Sequence, residues 1–406
     1  MVQLSNQQSW KPWQGVLVFI GTLLLLIFPG SLLQMNLGMP GLILSQLIFL
    51  AFAILVTKLH KTPLKEVFPV GKLSIRDIFG VIVFAIGAIL ANLMCAAVGM
   101  ALFPDSVAGT QETANFLYGN GLPPVLIVLI VSLTPAICEE SIMRGALLSH
   151  FRGLKKDWVV CLIVGICFGI LHLDPVKLLS TAVLGALLAY LVVKRNNILL
   201  ASLVHFLNNF LSSMAGVLSS GAAESAGSET GSAVTVSPLG TLGTFFIICF
   251  LAPVILVLGA KLLKLTNITK KSWIIAVIIS VVMLIAGVGC TFAASAGLNT
   301  VCSFTAQTTL TDDEPAIYQL TIEEDGQYQV VLSGSVSGGS ADVEIVNVDT
   351  DEVVTTDSIT GLQVVNQTLD LDAGNYEIRF TESSDAQSAD FTLSAKVVML
   401  SSSSAE

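Results

Sequence analysis

Long apolar stretches separated by short polar loops fill the first three quarters of the chain. A membrane-spanning helix needs about 20 mostly apolar residues, and nine stretches approach or exceed that length. They lie at 14–33, 41–57, 78–103, 123–149, 158–173, 176–193, 198–217, 240–263 and 273–298. This part of the chain is therefore predicted to be an all-α polytopic membrane helix bundle with about nine transmembrane helices.

The pattern changes after about residue 303, where apolar and polar residues begin to alternate one by one. The alternating stretches lie at 317–322, 328–332, 343–348, 364–371, 376–380 and 391–397. Turn signals separate them, such as Asp325 followed by Gly326. Period-two alternation interrupted by turns predicts antiparallel strands, and we expect a C-terminal all-β sandwich of roughly 100 residues.

These patterns divide the chain into four predicted regions. Residues 1–122 hold the N-terminal transmembrane helices, and residues 123–217 form a helical core. Residues 218–300 contain a loop and two further transmembrane helices, and residues 301–406 form the β-sandwich domain. Segment 219–237 is rich in Ser, Gly and Ala, a composition typical of a flexible loop.

Composition agrees with this division. Of the 406 residues, 53% are hydrophobic and only 12% are charged, about half the charged share of a soluble domain. The net charge of −10 is unevenly distributed, because 19 of the 29 acidic residues lie from Cys302 onward. The first 301 residues carry 17 Lys and Arg against 10 Asp and Glu. A slightly basic membrane part is thus joined to a strongly acidic polar part.

The basic residues also predict an orientation, because cytoplasmic loops are enriched in Lys and Arg. They concentrate in alternate loops, at 58–77, 152–156, 194–195 and 261–271. In the intervening loops, only Lys177 is basic. With nine spans, this places the N-terminus in the cytoplasm and the C-terminal domain outside the cell membrane.

Ionisable residues within the apolar stretches are few and are concentrated in three neighbouring stretches. Such residues are costly in a bilayer and usually mark function. The stretch 123–149 contains Glu139, Glu140 and Arg144, 158–173 ends with His172, and 198–217 contains His205. These side chains are the candidate site.

Helical geometry sorts these side chains, because residues four apart share a face. Glu140 and Arg144 are predicted to pair, while Glu139 points about 100° away, towards a cavity. His205 shares a face with Asn209 in the same way. Phe168 shares one with His172 and is expected to wall the pocket.

Two kinds of hydrolytic chemistry fit these residues. A carboxylate and an imidazole can activate a water, and a second imidazole with a carboxamide can stabilise the resulting oxyanion. Alternatively, Glu139, His172 and His205 match in type a catalytic zinc set with an open position, and Glu140 would then be the base. The cofactor is either none or one divalent metal, with zinc the candidate. The spacing of these residues does not decide between the two mechanisms.

The three motifs together resemble a known family. Glu139-Glu140-x-x-x-Arg144, Phe168-x-x-x-His172 and His205-x-x-x-Asn209 are similar to the motifs of the CAAX-protease and bacteriocin-processing (CPBP, Abi-type) endopeptidases, which include the Ras-converting prenyl-protein endopeptidase. The resemblance covers about 123–213. It implies that Glu139 is the general base and that His172 helps to activate the water. It further implies that His205 and Asn209 stabilise the oxyanion, with Glu140 and Arg144 structural or substrate-contacting.

Three functions remain open from these observations. The leading expectation is an intramembrane endopeptidase acting on a membrane-embedded or lipid-linked polypeptide. A non-catalytic bacteriocin-immunity or peptide-binding protein is the alternative. A proton-coupled transporter is a third, although its expected repeats are not evident. The expected partners are a peptide or protein substrate and the lipid bilayer, with no nucleic acid.

Overall fold

The computed structural model describes residues 3–103, 106–118, 122–225, 238–296, 300–310, 316–382 and 389–402. The chain divides into two compact units. The first comprises Met1–Ala226 and Thr241–Thr291, and the second comprises Gly227–Gly240 and Phe292–Glu406. Most of the predicted loop at 219–237 lies outside the described residues, and its first part, up to Ser225, continues a helix. The four predicted regions remain a prediction.

Among the described residues, nine apolar helices lie at the positions that the sequence predicts, and they make up most of the first unit. Their bounds are α1 Pro12–Leu37, α2 Met39–Leu59, α3 Ile75–Leu102, α4 Pro124–Phe151, α5 Asp157–Leu171, α6 Pro175–Arg195, α7 Ile198–Ser225, α8 Leu239–Leu262 and α9 Lys270–Ala296. Two short helices, Leu64–Val67 and Val107–Tyr118, lie in the loops. Eight of the nine helices are long and apolar enough to cross a membrane.

The exception is α5, which has 15 residues and is shorter than the predicted stretch 158–173. At 1.5 Å per residue it extends only about 22 Å, less than the roughly 30 Å of a bilayer core. The helix stops because Leu173 adopts a positive φ of 52°, and Asp174 then caps α6 by accepting from Val176 N and Lys177 N. His172 therefore lies at the end of a short helix.

The helices α5 and α6 form a tight hairpin, and glycines allow their close approach. A Cβ added to Gly165 would lie 2.6 Å from the carbonyl oxygen of Ala182, and one added to Gly169 would lie 2.6 Å from that of Leu178. Small residues at helix contacts are typical of membrane bundles. This packing holds the His172 end of α5 against α6.

The basic loops are bonded to one another at one end of the helical unit. Arg195 forms an ion pair with Asp77 at 2.8 Å and donates to the carbonyl oxygen of Leu263. Arg152 donates to Oδ1 of Asn196 at 3.0 Å. These contacts link loops 58–77, 152–156, 194–197 and 261–271, the four that the sequence assigns to one side of the membrane.

Six antiparallel strands form the second unit. They are β1 Thr300–Leu310, β2 Ala316–Ile322, β3 Gly326–Asn347, β4 Glu352–Leu371, β5 Gly374–Glu382 and β6 Ala389–Ser402. The long strands β3 and β4 pair over nearly their whole length. The first half of β3 also pairs with β6, which pairs with β1, and its second half pairs with β5, which pairs with β2.

One hydrophobic core joins side chains of the β3–β4 hairpin, including Tyr328, Val343 and Ile359, to those of the flanking strands, including Ile378 of β5 and Val397 of β6. The arrangement agrees with the predicted β-sandwich. Two details differ from the sequence prediction. The stretches 328–332 and 343–348 belong to a single strand, because the register shift between Ser335 and Ser340 bends β3 without ending it. Strand β1 was not predicted, since its residues alternate weakly.

Candidate active site

Two of the charged side chains of α4 form a buried ion pair. Nη1 of Arg144 lies 2.9 Å from Oε1 of Glu140, and both side chains are fully buried. The pair predicted from the four-residue spacing is therefore present. Here the helix continues as a π-helical segment, Ser141–Leu147, whose residues are all buried. Such wide turns are rare in helices and often occur at functional sites.

The guanidinium of Arg144 joins α4 to the α5–α6 hairpin. It lies 4.4 Å from the ring centroid of Phe168, a cation–π distance, and Nη2 donates to the carbonyl oxygen of Gly185 at 3.1 Å. A Cβ on Gly185 would lie 2.8 Å from Cβ of Phe168, so glycine is needed for this approach. Phe168 therefore packs on Arg144 in addition to its predicted position beside His172.

His205 lies between the two glutamates. Its Nδ1 donates to Oε1 of Glu140 at 2.8 Å, the same oxygen that binds Arg144. Its Nε2 lies 3.9 Å from Oε2 of Glu139. The ring is 2% exposed. Because a carboxylate can only accept, Nδ1 carries the proton of this hydrogen bond. The bond also orients the ring so that Nε2 faces Glu139.

Glu139 is the more accessible of the two carboxylates, with 13% of its side chain exposed. Its Oε1 accepts a hydrogen bond of 2.9 Å from Nε2 of Gln46 on α2. The two glutamates thus share His205 but have separate second partners, Gln46 for Glu139 and Arg144 for Glu140. Gln46 was missed from the sequence. The available signal was a carboxamide in an apolar helix, which a search for ionisable residues passes over.

His172 joins the cluster through Phe168. Its Nδ1 donates to the carbonyl oxygen of Phe168 at 2.8 Å, and the two rings meet edge to face at 4.9 Å. The ring of Phe168 meets that of His205 edge to face at 5.6 Å. The two imidazoles are therefore brought close to one aromatic ring, although they lie far apart in the sequence.

Asn209 is held by a row of carboxamides. Nδ2 of Asn92, on α3, lies 3.3 Å from Oδ1 of Asn208. Nδ2 of Asn208 in turn lies 3.1 Å from Oδ1 of Asn209. Because the oxygen of Asn209 is occupied as an acceptor, its NH₂ group is the end of the row that remains to donate. Asn92, like Gln46, was not found from the sequence.

Direct contacts connect six of the seven predicted site residues: Glu139, Glu140, Arg144, Phe168, His172 and His205. The seventh, Asn209, lies one helical turn from His205 on α7. Helices α4, α5 and α7 supply these side chains, and α2 and α3 add Gln46 and Asn92.

The metal alternative was tested against the side-chain geometry. Within the described ranges, no group of three or more His, Cys, Asp or Glu side chains could hold a metal ion. The Nδ1 atoms of His172 and His205 are both engaged with protein oxygens. Such bonds are usual for the second nitrogen of metal-ligating histidines, so Nε2 of each ring is the atom that either mechanism would use.

Residues 121–211 match the family model described as type II CAAX prenyl endopeptidase, Rce1-like. The segment that carries the site is Rce1-like. The match includes every site residue predicted from the sequence and confirms the resemblance that the three motifs indicate. The Rce1-like segment covers less than a quarter of the chain, and Gln46 and Asn92 lie outside it. The family implies a protease that acts in the membrane.

The solved structures that match part of this chain include two carbohydrate-binding modules. A carbohydrate-binding module (CBM6cm-2) from Cellvibrio mixtus lichenase 5A, in complex with cellotriose, is 14% identical, with 25% of this chain and 99% of the module covered and a TM-score of 0.19. The carbohydrate-binding module CBM36, in complex with calcium and xylotriose, is 17% identical, with 24% and 91% covered and a TM-score of 0.18. No curated protein matches the chain.

Proposed function

We propose that this protein is an intramembrane endopeptidase that hydrolyses a peptide bond of a membrane-embedded or lipid-linked polypeptide. The observation that supports the proposal most strongly is the position of His205 between Glu139 and Glu140, inside a bundle of apolar helices. Two carboxylates and an imidazole at this spacing are costly to bury, and their chemistry suits the activation of water.

Glu139 is the general base in this proposal. It is the carboxylate with some exposure, and its Oε2 is directed to the side of His205, while Oε1 is held by Gln46. A water beside Oε2 would lose a proton to Glu139 as its oxygen adds to the peptide carbonyl. His172, whose Nδ1 is engaged with Phe168, has Nε2 available to orient that water.

His205 and Asn209 stabilise the oxyanion that forms when the water adds. The NH₂ group of Asn209 is the donor left by the carboxamide row. The ring of His205, whose Nε2 lies on the side of Glu139, is the second group of this proposed oxyanion site. Preorganised donors in a site from which water is largely excluded account for much of the rate enhancement of such reactions. Glu139 then returns its proton to the leaving amine.

The orientation predicted from the basic loops is part of the proposal. The contacts among loops 58–77, 152–156, 194–197 and 261–271 support a common side for all four. Because cytoplasmic loops of membrane proteins are enriched in Lys and Arg, we assign that side to the cytoplasm. The N-terminus would then be cytoplasmic and the β-sandwich extracytoplasmic.

The proposal is tested with the full chain reconstituted in lipid nanodiscs. The probe is a fluorogenic peptide that ends in a farnesylated Cys-a-a-X sequence, together with tagged transmembrane peptides. We expect the wild type to cleave at least one of them and Glu139→Gln to lose at least about a thousandfold in kcat. Glu66→Gln is the matched control and should retain activity, because Glu66 lies in the short helix Leu64–Val67 and bonds Ser5 N instead of a site residue.

Two results would oppose the proposal. Equal cleavage by the wild type and Glu139→Gln would remove Glu139 as the base. Tight peptide binding without cleavage of any probe would favour the non-catalytic peptide-binding function. Treatment with a metal chelator tests the mechanism separately, and we expect kcat to be unchanged.

A further inference from the structure

Gln46 lies on α2, outside the Rce1-like segment, and its side chain reaches the proposed base. Its Nε2 donates to Oε1 of Glu139 at 2.9 Å, and the residue is only 6% exposed. A carboxylate can only accept, so the nitrogen of the amide must face Glu139. The oxygen of the amide is therefore directed elsewhere.

The planar geometry of the amide fixes where that oxygen lies. Oxygen and nitrogen of a carboxamide are about 2.3 Å apart, so Oε1 of Gln46 lies within roughly 5 Å of the Glu139 carboxylate. Across the part of the chain that the structure describes, this oxygen is buried and has no hydrogen-bond partner. Burying an acceptor without a donor is unfavourable, which points to a donor supplied by a ligand.

The neighbouring polar groups of α2 behave differently. Ser45 donates to the carbonyl oxygen of Leu42 at 2.8 Å and accepts from Nε2 of Gln34 at 3.1 Å. Its hydrogen bonds are therefore satisfied within the protein. Gln46 is the residue of this helix that combines a contact with Glu139 and an acceptor still to be used.

Resting on the proposed endopeptidase function, we propose that Gln46 both positions Glu139 and binds the substrate backbone. Its NH₂ group holds the carboxylate of Glu139 for attack on the water. Its oxygen accepts a hydrogen bond from a backbone N–H of an extended polypeptide close to the bond that is cleaved. An extended chain leaving the lipid needs such acceptors, because its backbone groups have no partners of their own there. The ligand class is thus a peptide backbone, independent of side-chain identity.

The test uses three variants of the full chain in nanodiscs. Gln46→Met removes both amide functions, and Gln46→Glu replaces the amide donor by a second carboxyl group beside Glu139 but keeps an acceptor. Gln34→Met is the matched control, because Gln34 bonds Ser45 rather than Glu139. The probe is the farnesylated fluorogenic peptide, in one parent form and in a series of forms that are N-methylated at a single backbone nitrogen. Thermal unfolding of each variant checks that it is folded.

The expected result is a separation of kcat from KM. Gln46→Glu should lower kcat about tenfold to a hundredfold, because two adjacent carboxyl groups share a proton and Glu139 becomes a poorer base, and change KM little. Gln46→Met should lower kcat similarly and raise KM about threefold to tenfold. With the wild type and with Gln46→Glu, one N-methylated peptide should have a higher KM than the parent peptide. With Gln46→Met, the KM of that peptide should equal the KM of the parent. Gln34→Met should match the wild type.

Failure of this inference can be told from failure of the proposed function. Suppose that the wild type cleaves the peptides, but that Gln46→Met raises the KM of every N-methylated peptide by the same factor as that of the parent peptide. Substrate binding by Gln46 would then be overturned. Unchanged kcat in Gln46→Glu would overturn its positioning role. If the wild type binds the peptides without cleaving them, Kd replaces KM in the comparison. An N-methyl group that raises the Kd of the wild type but not that of Gln46→Met would then support backbone binding by Gln46 and contradict the proposed hydrolysis. Peptides that are neither bound nor cleaved overturn both.

Discussion

The Nδ1 of His205 lies 2.8 Å from Oε1 of Glu140, and this contact joins the first and last of the three motifs. The same oxygen accepts a hydrogen bond from Arg144 at 2.9 Å, so one carboxylate oxygen binds side chains from two different helices. Glu140 is therefore more than the partner of Arg144 that the four-residue spacing predicts. It determines the orientation of the imidazole that faces Glu139.

The first prediction separates the two tasks of Glu140. Glu140→Leu should lower the free energy of unfolding by about 3–5 kcal/mol, because Arg144 would remain as an uncompensated buried charge. It should also abolish most of the activity, because His205 loses the acceptor of its Nδ1. Both effects are measured on the purified variant, by denaturant unfolding and by kcat.

A double variant provides the control for Glu140. Glu140→Leu with Arg144→Met leaves no buried charge of the pair and should recover part of the stability, because apolar residues can replace a buried ion pair. Its activity should stay low. Recovery of kcat together with stability would mean that Glu140 supports only the fold.

The second prediction concerns the carboxamide row that ends at Asn209. Asn92→Leu removes the donor to Asn208 and should lower kcat about threefold to tenfold, the value of one neutral hydrogen bond. KM should change little, because the row acts on the oxyanion donor rather than on the bound substrate. Asn36→Leu is the control, since Asn36 is exposed and bonds a backbone carbonyl of its own helix. A larger change in KM than in kcat would contradict this assignment.

The third prediction concerns the turn that ends the short helix α5. Asp174 caps α6 through Val176 N and Lys177 N. Asp174→Ala should lower the free energy of unfolding by about 1 kcal/mol, measured by denaturant unfolding. Asp174→Asn retains a capping oxygen and should lose much less. Equal losses in the two variants would assign the effect to the ion pair with Lys177 and not to the cap.

The stabilisation from Asp174 should also depend on pH. Burial alone would raise the pKa of Asp174, but hydrogen bonds and the charge of Lys177, with a hydrogen bond from Thr110, lower it below 3.8. A carboxyl whose pKa is lowered in the folded state stabilises the fold above its unfolded pKa and loses this effect as the pH falls through the folded value. The difference in stability between wild type and Asp174→Ala should therefore shrink below about pH 4.

The fourth prediction concerns the β-sandwich. We expect it to recruit a substrate or a partner at the cell surface, so deletion of residues 297–406 should change the preference among polypeptide substrates more than the turnover of a short peptide. The measurement compares kcat/KM for a short peptide and for a protein substrate before and after deletion. An equal loss for both would argue that the domain supports only the stability of the helical unit.

Much of the fold could be predicted from the sequence alone. Long apolar stretches identify membrane helices because their backbones must be satisfied internally, and alternation identifies strands because side chains project to alternate faces. The site motifs were visible for a related reason. Ionisable side chains such as Glu139, His172 and His205 are so costly in lipid that their presence in three apolar stretches indicates function.

Other features depended on the tertiary structure. The sequence does not reveal that Gln46 reaches Glu139, or that Asn92 supports Asn209 through Asn208, because a single carboxamide costs little in a helix and its partner lies on a distant one. The end of α5 at Leu171 also escaped prediction, since hydropathy continues through Leu173 while the positive φ of that residue ends the helix. The merging of two predicted strands into β3 was likewise hidden.

The sequence by itself thus determined the identity of the candidate site residues, the helices that carry them and the change from helix to sheet. These properties follow from local periodicity and from the cost of burying charge, both of which act at each residue separately. The tertiary structure alone decided which atoms meet: the shared oxygen of Glu140, the amide of Gln46 and the row that ends at Asn209. Hydrogen bonds between helices depend on distances of a few tenths of an ångström, and those distances arise only when the helices pack.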